Sequence, residues 1–169
     1  MDFNDSQTIL YGVIISNIVA LIMLLCSWKK PKIARVMFFL LFIWAGWVNA
    51  ITALNTPQVY LEYSKFAFFP IYSYIIEGFF GDNITAIVFS IAMCQLMIGV
   101  SMLLKGRIFV TGAIGGMIFL ICISPLGFGS GFPSTLIMAW GLYLLLNKNR
   151  NIYLWESSSK NPDLKIQNP

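Results

Sequence analysis

The sequence predicts an all-α membrane protein: a four-helix transmembrane bundle, one additional N-terminal transmembrane helix, and short amphipathic helices on the outer face. Three observations carry that prediction. Charged residues make up 11% of the 169-residue chain, less than half of the roughly 25% usual for a soluble domain. Charge-free apolar runs recur at about 20 residues, the length that crosses a bilayer at a 1.5 Å rise per residue. The basic residues are gathered into short clusters between those runs, the arrangement that sets topology. The formal charge of +4 therefore points to the lipid bilayer as partner and to no nucleic acid.

The first apolar run, 8–28, is "TILYGVIISNIVALIMLLCSW". Asp2 and Asp5 precede it and "KKPKIAR" follows it at 29–35, the reverse of a signal peptide's flanks, so it reads as a retained helix with its N-terminus outside. The second run, 36–55, carries "WAGW" in its middle, and the third occupies 84–104. After "KGR" (105–107) a charge-free region extends too far for one helix. Prolines and glycines in "SPLGFGSGFPST" split it into spans at 108–123 and 134–146. The polar remainder, 147–169, reads as a solvated cytoplasmic tail. With about five spans in one membrane domain, Lys29, Lys30, Lys32, Arg35, Lys105, Arg107, Lys148, Arg150, Lys160 and Lys165 fall inside, and only Lys65 outside. Asp2, Asp5, Glu62, Glu77 and Asp82 collect on the outer side. The expected location is the cell membrane, multi-pass, with the C-terminus cytoplasmic.

Between the second and third spans, 57–83 is too charged to cross and too apolar to stay in water. Pro57 suits the first position of a helix. Tyr60, Tyr63 and Ala67 share one face at α-helical spacing, and Glu62 and Lys65 another. Pro70 interrupts it, after which Ile71, Ile75 and Phe79 repeat on an apolar line, with Ser73 and Glu77 on a polar one. Tyrosines at headgroup level are satisfied at both ends of the ring. Two amphipathic helices are predicted, lying at the outer interface or folded over the bundle.

Arg35, "VMFFLLFIWAGWVNAI", a long amphipathic outer segment and three further spans together look like the DoxX-like membrane proteins. The resemblance covers 34–146 and leaves 8–28 as an added helix. It implies a four-helix bundle whose first helix starts with an arginine and contains a stretch of small residues, followed by a long outer excursion. Arg35 and Gly46 are the positions it carries over. The lysine that often ends the family's first helix is absent, "NAITALN" standing there instead. Some members are membrane partners of redox enzymes or quinone-linked subunits, which implies a membrane or redox protein partner.

The chain has no histidine, which excludes Ser-His-Asp and Cys-His catalysis and a His-ligated haem. Cys26, Cys94 and Cys122 form no CxxC pair and read as packing residues. Glu77, in "YIIEGFF", is the carboxylate whose surroundings could be apolar; the bland alternative is that it reaches the headgroups. Asp82 and Asn83 are placed to cap the third span. Asn17, Asn49 and Gln95 bring amides to membrane depth, where partners on other helices are expected. The sharper reading has Asn49, Gln95, Trp44 and Trp47 lining a pocket that opens toward the outer segment, with Tyr74 and Glu77 at its rim. Gly112 and Gly116, reinforced by Gly115, permit close helix approach within the bundle.

The reading favoured is an accessory or complex-forming membrane subunit with a lipid- or quinone-sized pocket near its outer face, and no cofactor is indicated. The alternatives are a small-molecule transporter or channel-like protein, which the absence of ionisable residues from the spans disfavours, and a membrane-embedded enzyme using Glu77 or Asp82. No catalytic constellation is visible.

Overall fold

A computed structural model describes residues 6–148 and 153–155. Of the predicted tail at 147–169, residues 149–152 and 156–169 lie outside them, as does the acidic flank at Asp2 and Asp5, whereas Asn147 and Lys148 end the last helix and Leu154 bonds to Leu103. The described residues are all-helical, with the long helices α1 (Ser6–Lys29), α2 (Pro31–Asn55), α4 (Ile84–Ser101), α5 (Gly106–Ile123) and α6 (Ser134–Lys148), and the short α3 (Pro70–Ile75). Among the described residues, four stretches are long and apolar enough to cross a membrane: Leu10–Lys29, Pro31–Asn55, Ile84–Ser101 and Gly106–Gly127. The last helix, α6, has 15 residues, about 22 Å of helix.

Packing follows a ring: α1 touches α2 and α6, α6 touches α5, α5 touches α4, and α4 returns to α2. Phe38, Phe42, Met102, Phe109, Leu142 and Leu145 fill its centre, while Leu10, Ile18, Leu25 and Ile118 face outward. Where lipid surrounds so apolar an exterior, side-chain burial gives helices little reason to associate, and close backbone approach holds them together. Glycine supplies it. A Cβ at Gly46 would lie 2.9 Å from the Leu96 side chain and 3.0 Å from the Ala92 carbonyl oxygen. One at Gly99 would lie 2.9 Å from Ile43. Gly112 and Gly116 face Ser101 and Leu142 of neighbouring helices, so the glycine spacing serves packing inside the bundle.

One end of the ring carries Lys29, Lys30, Lys32, Lys105, Arg107 and Lys148, and is called the basic end below. The segment between α2 and α4 covers the other, the capped end. That segment departs from the expected α-helices. Pro57–Phe66 is a 3₁₀-helix, and Ile76–Phe80 is a π-turn broken at Gly78 (φ −98°, ψ −117°). At three residues per turn, positions i and i+3 eclipse. Tyr60 therefore stacks on Tyr63 (centroids 6.0 Å apart, planes at 16°) and Lys65 pairs with Glu62. Ala67 is extended and leaves the tyrosine face. The line Ile71, Ile75 and Phe79 is exposed, and the buried residue is Ile76.

The segment is tied down at both ends. Leu61, Phe80 and Tyr60 pack on Ala53, Ile84 and Val88. The Phe68 N–H donates to the Pro125 carbonyl (2.9 Å), the Tyr72 hydroxyl donates to the Cys122 carbonyl (3.2 Å), and Phe68 meets Phe132 edge-on at 5.1 Å. Gly127 (φ 69°) lets the Phe66 carbonyl pass where a Cβ would lie 2.2 Å away. The cap expected at α4 is also altered. Asn83 holds the N-cap position, but its side chain donates backward to the Phe79 carbonyl (3.0 Å) and accepts no bond from the helix.

Candidate functional site

Among the buried polar groups, which also include Ser27, Ser134 and Thr135, with Thr135 Oγ1 enclosed and without a partner among the described residues, two clusters link separate helices. Toward the capped end, the Tyr60 hydroxyl donates to Asn49 Oδ1 (2.7 Å), and Asn49 Nδ2 donates to Gln95 Oε1 (2.7 Å). The relay joins the 3₁₀ segment, α2 and α4. Gln95 is 3% exposed, a depth at which an amide must be satisfied. Asn17 differs from this expectation, since its amide donates to the Val13 carbonyl of its own helix (2.8 Å) and reaches no neighbour. Burial pushes the Tyr60 and Tyr63 phenols above their ordinary range; at Tyr60 a bond with the Thr52 side chain opposes the shift and Tyr63 adds to it. Both remain protonated donors at neutral pH.

Gln95 also stands in the wall of a groove between α4 and α5, with a volume of about 1090 Å³. The groove runs from Phe79 and Asn83 at the capped end to Ser101 and Arg107 at the basic end. Isoleucines at 87, 91, 98, 108 and 118, with Met97 and Phe119, dominate its apolar lining; Ser90, Cys94, Gln95 and Thr111 add polar atoms between its two ends. The helices approach most tightly where Gly112 meets Ser101, and Gly115, on the groove side, leaves room farther along. A Cβ on Gly115 would meet only the Ile98 side chain, at 3.8 Å.

The second cluster centres on Arg35, which the sequence places just before an apolar run as a topology signal. Here α2 begins at Pro31, so Arg35 is already inside the helix, and it is fully buried. Its Nε donates to the Met102 carbonyl (2.8 Å), its Nη2 to the Leu104 carbonyl, and its guanidinium lies 4.4 Å from the Phe109 ring centroid. The bundle therefore does contain an ionisable group, against the reading that the spans have none. The carbonyls it binds end α4, where helix C-termini favour a cation. The same turn is held from outside: the Leu154 N–H donates to the Leu103 carbonyl (3.3 Å), and Lys105 lies 4.4 Å from the Tyr153 ring. Bonds to fixed carbonyls make Arg35 a latch on the α4–α5 turn.

Of the residues singled out by sequence, Asn49 and Gln95 are brought together. Trp44 and Trp47 are exposed on the outer side of α2 at 65% and 64%, away from the groove. Tyr74, Glu77 and Asp82 are exposed at the capped end, and neither carboxylate makes a hydrogen bond or ion pair among the described residues. Tyr60 and Arg35 were not singled out as site residues. The free cysteines Cys94 and Cys122 are both exposed, Cys94 in the groove. Among the described residues no three metal-ligating side chains gather. Comparisons with protein families, curated proteins and solved structures give no match.

Proposed function

We propose that this chain is a multi-pass cell-membrane protein, an accessory subunit that holds one long-chain lipid in the groove between α4 and α5. The carrying observation is the groove itself: about 1090 Å³ of mostly apolar lining along two membrane-length helices, with the buried amide of Gln95 in its wall. Ligand sites are commonly about 300–1,000 Å³ and apolar with few polar groups. The groove has the size and character of such a site, drawn out along a helix pair. The basic end is cytoplasmic and the capped end outside, as the separation of lysines from carboxylates supports. α6 serves as the fifth, short span. The burial of Arg35 and Gly46, the positions shared with DoxX-like proteins, supports that kinship and with it a membrane or redox protein as partner.

The reading is tested by filling the groove. Gly115→Leu adds a side chain at a groove-lining position where a Cβ would meet only the Ile98 side chain, at 3.8 Å. In protein purified in detergent, native mass spectrometry is expected to find one retained lipid on the wild type and none on this variant, with Tm unchanged. In a Cys26→Ala, Cys122→Ala background, alkylation of Cys94 is expected to speed up when the protein is stripped of lipid. A wild-type protein that retains nothing, with Cys94 equally reactive before and after stripping, overturns the reading.

A further inference from the structure

Building on the lipid-binding reading, we infer that the groove selects an uncharged long-chain molecule whose head carries a carbonyl-type hydrogen-bond acceptor, seated on Gln95 deep in the bilayer. The relay has a direction. Tyr60 donates to Asn49 and Asn49 donates to Gln95 Oε1, so the carbonyl end of the Gln95 amide is occupied. Its Nε2 amino group makes no hydrogen bond among the described residues and belongs to a side chain that lines the groove while only 3% exposed. An amide nitrogen is donor-only. A donor that opens onto an apolar groove without a partner is costly to leave unmade, and an acceptor arriving in the groove removes that cost.

Depth decides what carries the acceptor. Gln95 lies 11 residues into α4, counted from Ile84, about 17 Å along its axis. The hydrocarbon core is about 30 Å thick, which places Gln95 near its middle. Arg107, where an anionic headgroup would sit, is at the far basic end of the groove. From the Ser101–Gly112 contact, Gln95 lies six residues toward the cap and Arg107 five residues the other way. The two levels are thus about 16 Å apart. A phospholipid keeps its ester carbonyls beside its phosphate, so it cannot reach both. A charged head moved to Gln95 itself meets the high cost of charge at the bilayer centre. A neutral carbonyl head on a long apolar tail satisfies the donor, the depth and the isoleucine-rich walls together; prenyl quinones and long-chain ketones belong to this class.

The test compares three probes of matched chain length, 2-octadecanone, octadecane and octadecanoate, added to delipidated protein in detergent micelles. Affinity is read by displacement of Cys94 alkylation in the Cys26→Ala, Cys122→Ala background. The ketone is expected to bind about 2- to 10-fold more tightly than the alkane, the range one hydrogen bond supplies, and its carbonyl infrared band is expected to shift to lower frequency. Octadecanoate is expected to bind no better than the alkane. The Asn49→Leu, Gln95→Met variant removes both amides and strands neither, and it is expected to bind ketone and alkane equally. Equal binding of ketone and alkane by the wild type, or tighter binding of octadecanoate than of the ketone, overturns the selectivity while leaving the lipid site standing. Protection of Cys94 by none of the three overturns the selectivity and the site beneath it.

Discussion

Arg35 shows how one buried charge organises a helical bundle. Its guanidinium links α2 to the end of α4 through two carbonyls and lies over Phe109 of α5, so three helices meet on one side chain. Lysine carries the same charge but lacks the planar fork that reaches two acceptors while stacking on a ring. Arg35→Lys is expected to lower stability by about 1.5–3 kcal/mol, the worth of one charged hydrogen bond, measured by unfolding in mixed micelles. The sequence hid this role because Arg35 directly precedes the apolar run 36–55 and reads as its flank. Asn49 and Gln95 were legible, since an amide at membrane depth needs a partner. Tyr60 was not, because its bond to Asn49 depends on how the chain folds back after α2. The relay also has a pH signature. Raised phenol pKa values mean that the folded state holds its protons more tightly than the unfolded state. Their contribution to stability is therefore constant below the ordinary tyrosine value near 10 and is lost as pH rises above it through the folded values. Tm followed from pH 8 to 11 is expected to fall only in the upper part, and less steeply in Tyr60→Phe.

Helix spacing explains which element predictions survived. The apolar runs announced α1, α2, α4 and α5 because a span needs only length and hydrophobicity. The capped segment failed the α-helical period because prolines at 57 and 70 isolate a stretch that winds as 3₁₀, where pairs three apart eclipse. Tyr60 with Tyr63 and Glu62 with Lys65 obey that rule, and both pairs are equally compatible with an α-helix on paper. The groove had no signature in the sequence at all, since it arises from how α4 and α5 diverge beyond one contact. That contact is testable. A Cβ on Gly112 would lie 2.4 Å from the Ser101 Cβ and closer still to its hydroxyl, so no rotamer of Ser101 relieves it. Gly112→Ala is expected to destabilise by about 1–3 kcal/mol as an overpacked contact, and Ser101→Gly in the same chain to recover most of the loss. Gly115→Ala, with only the Ile98 side chain nearby, is expected to leave Tm within about 1 °C of wild type.

Across the whole molecule, the separation of charge into a basic end and a capped end predicts how reagents reach it. In a cysteine-free background, Gln58→Cys is expected to react with an impermeant maleimide on intact cells and Lys30→Cys only after lysis; the reverse pattern would invert the topology. The ring that joins these ends also closes late. α1 lies against α6, and Lys148 donates to the Trp28 carbonyl across 120 positions of chain (2.7 Å). Synthesis runs from α1 forward at about 5–20 residues per second, so α1 is made roughly 5–20 s before α6 exists. During that interval the stripe of Ala20, Met23 and Ser27, buried in the finished protein, faces only lipid or the translocation machinery. α2 can anchor one flank of α1 at once, but the other stays open until the final helix is inserted. A ribosome that stalls before residue 134 therefore leaves in the bilayer an unclosed ring with a helix still awaiting its mate, a state that membrane quality control can recognise by that open edge.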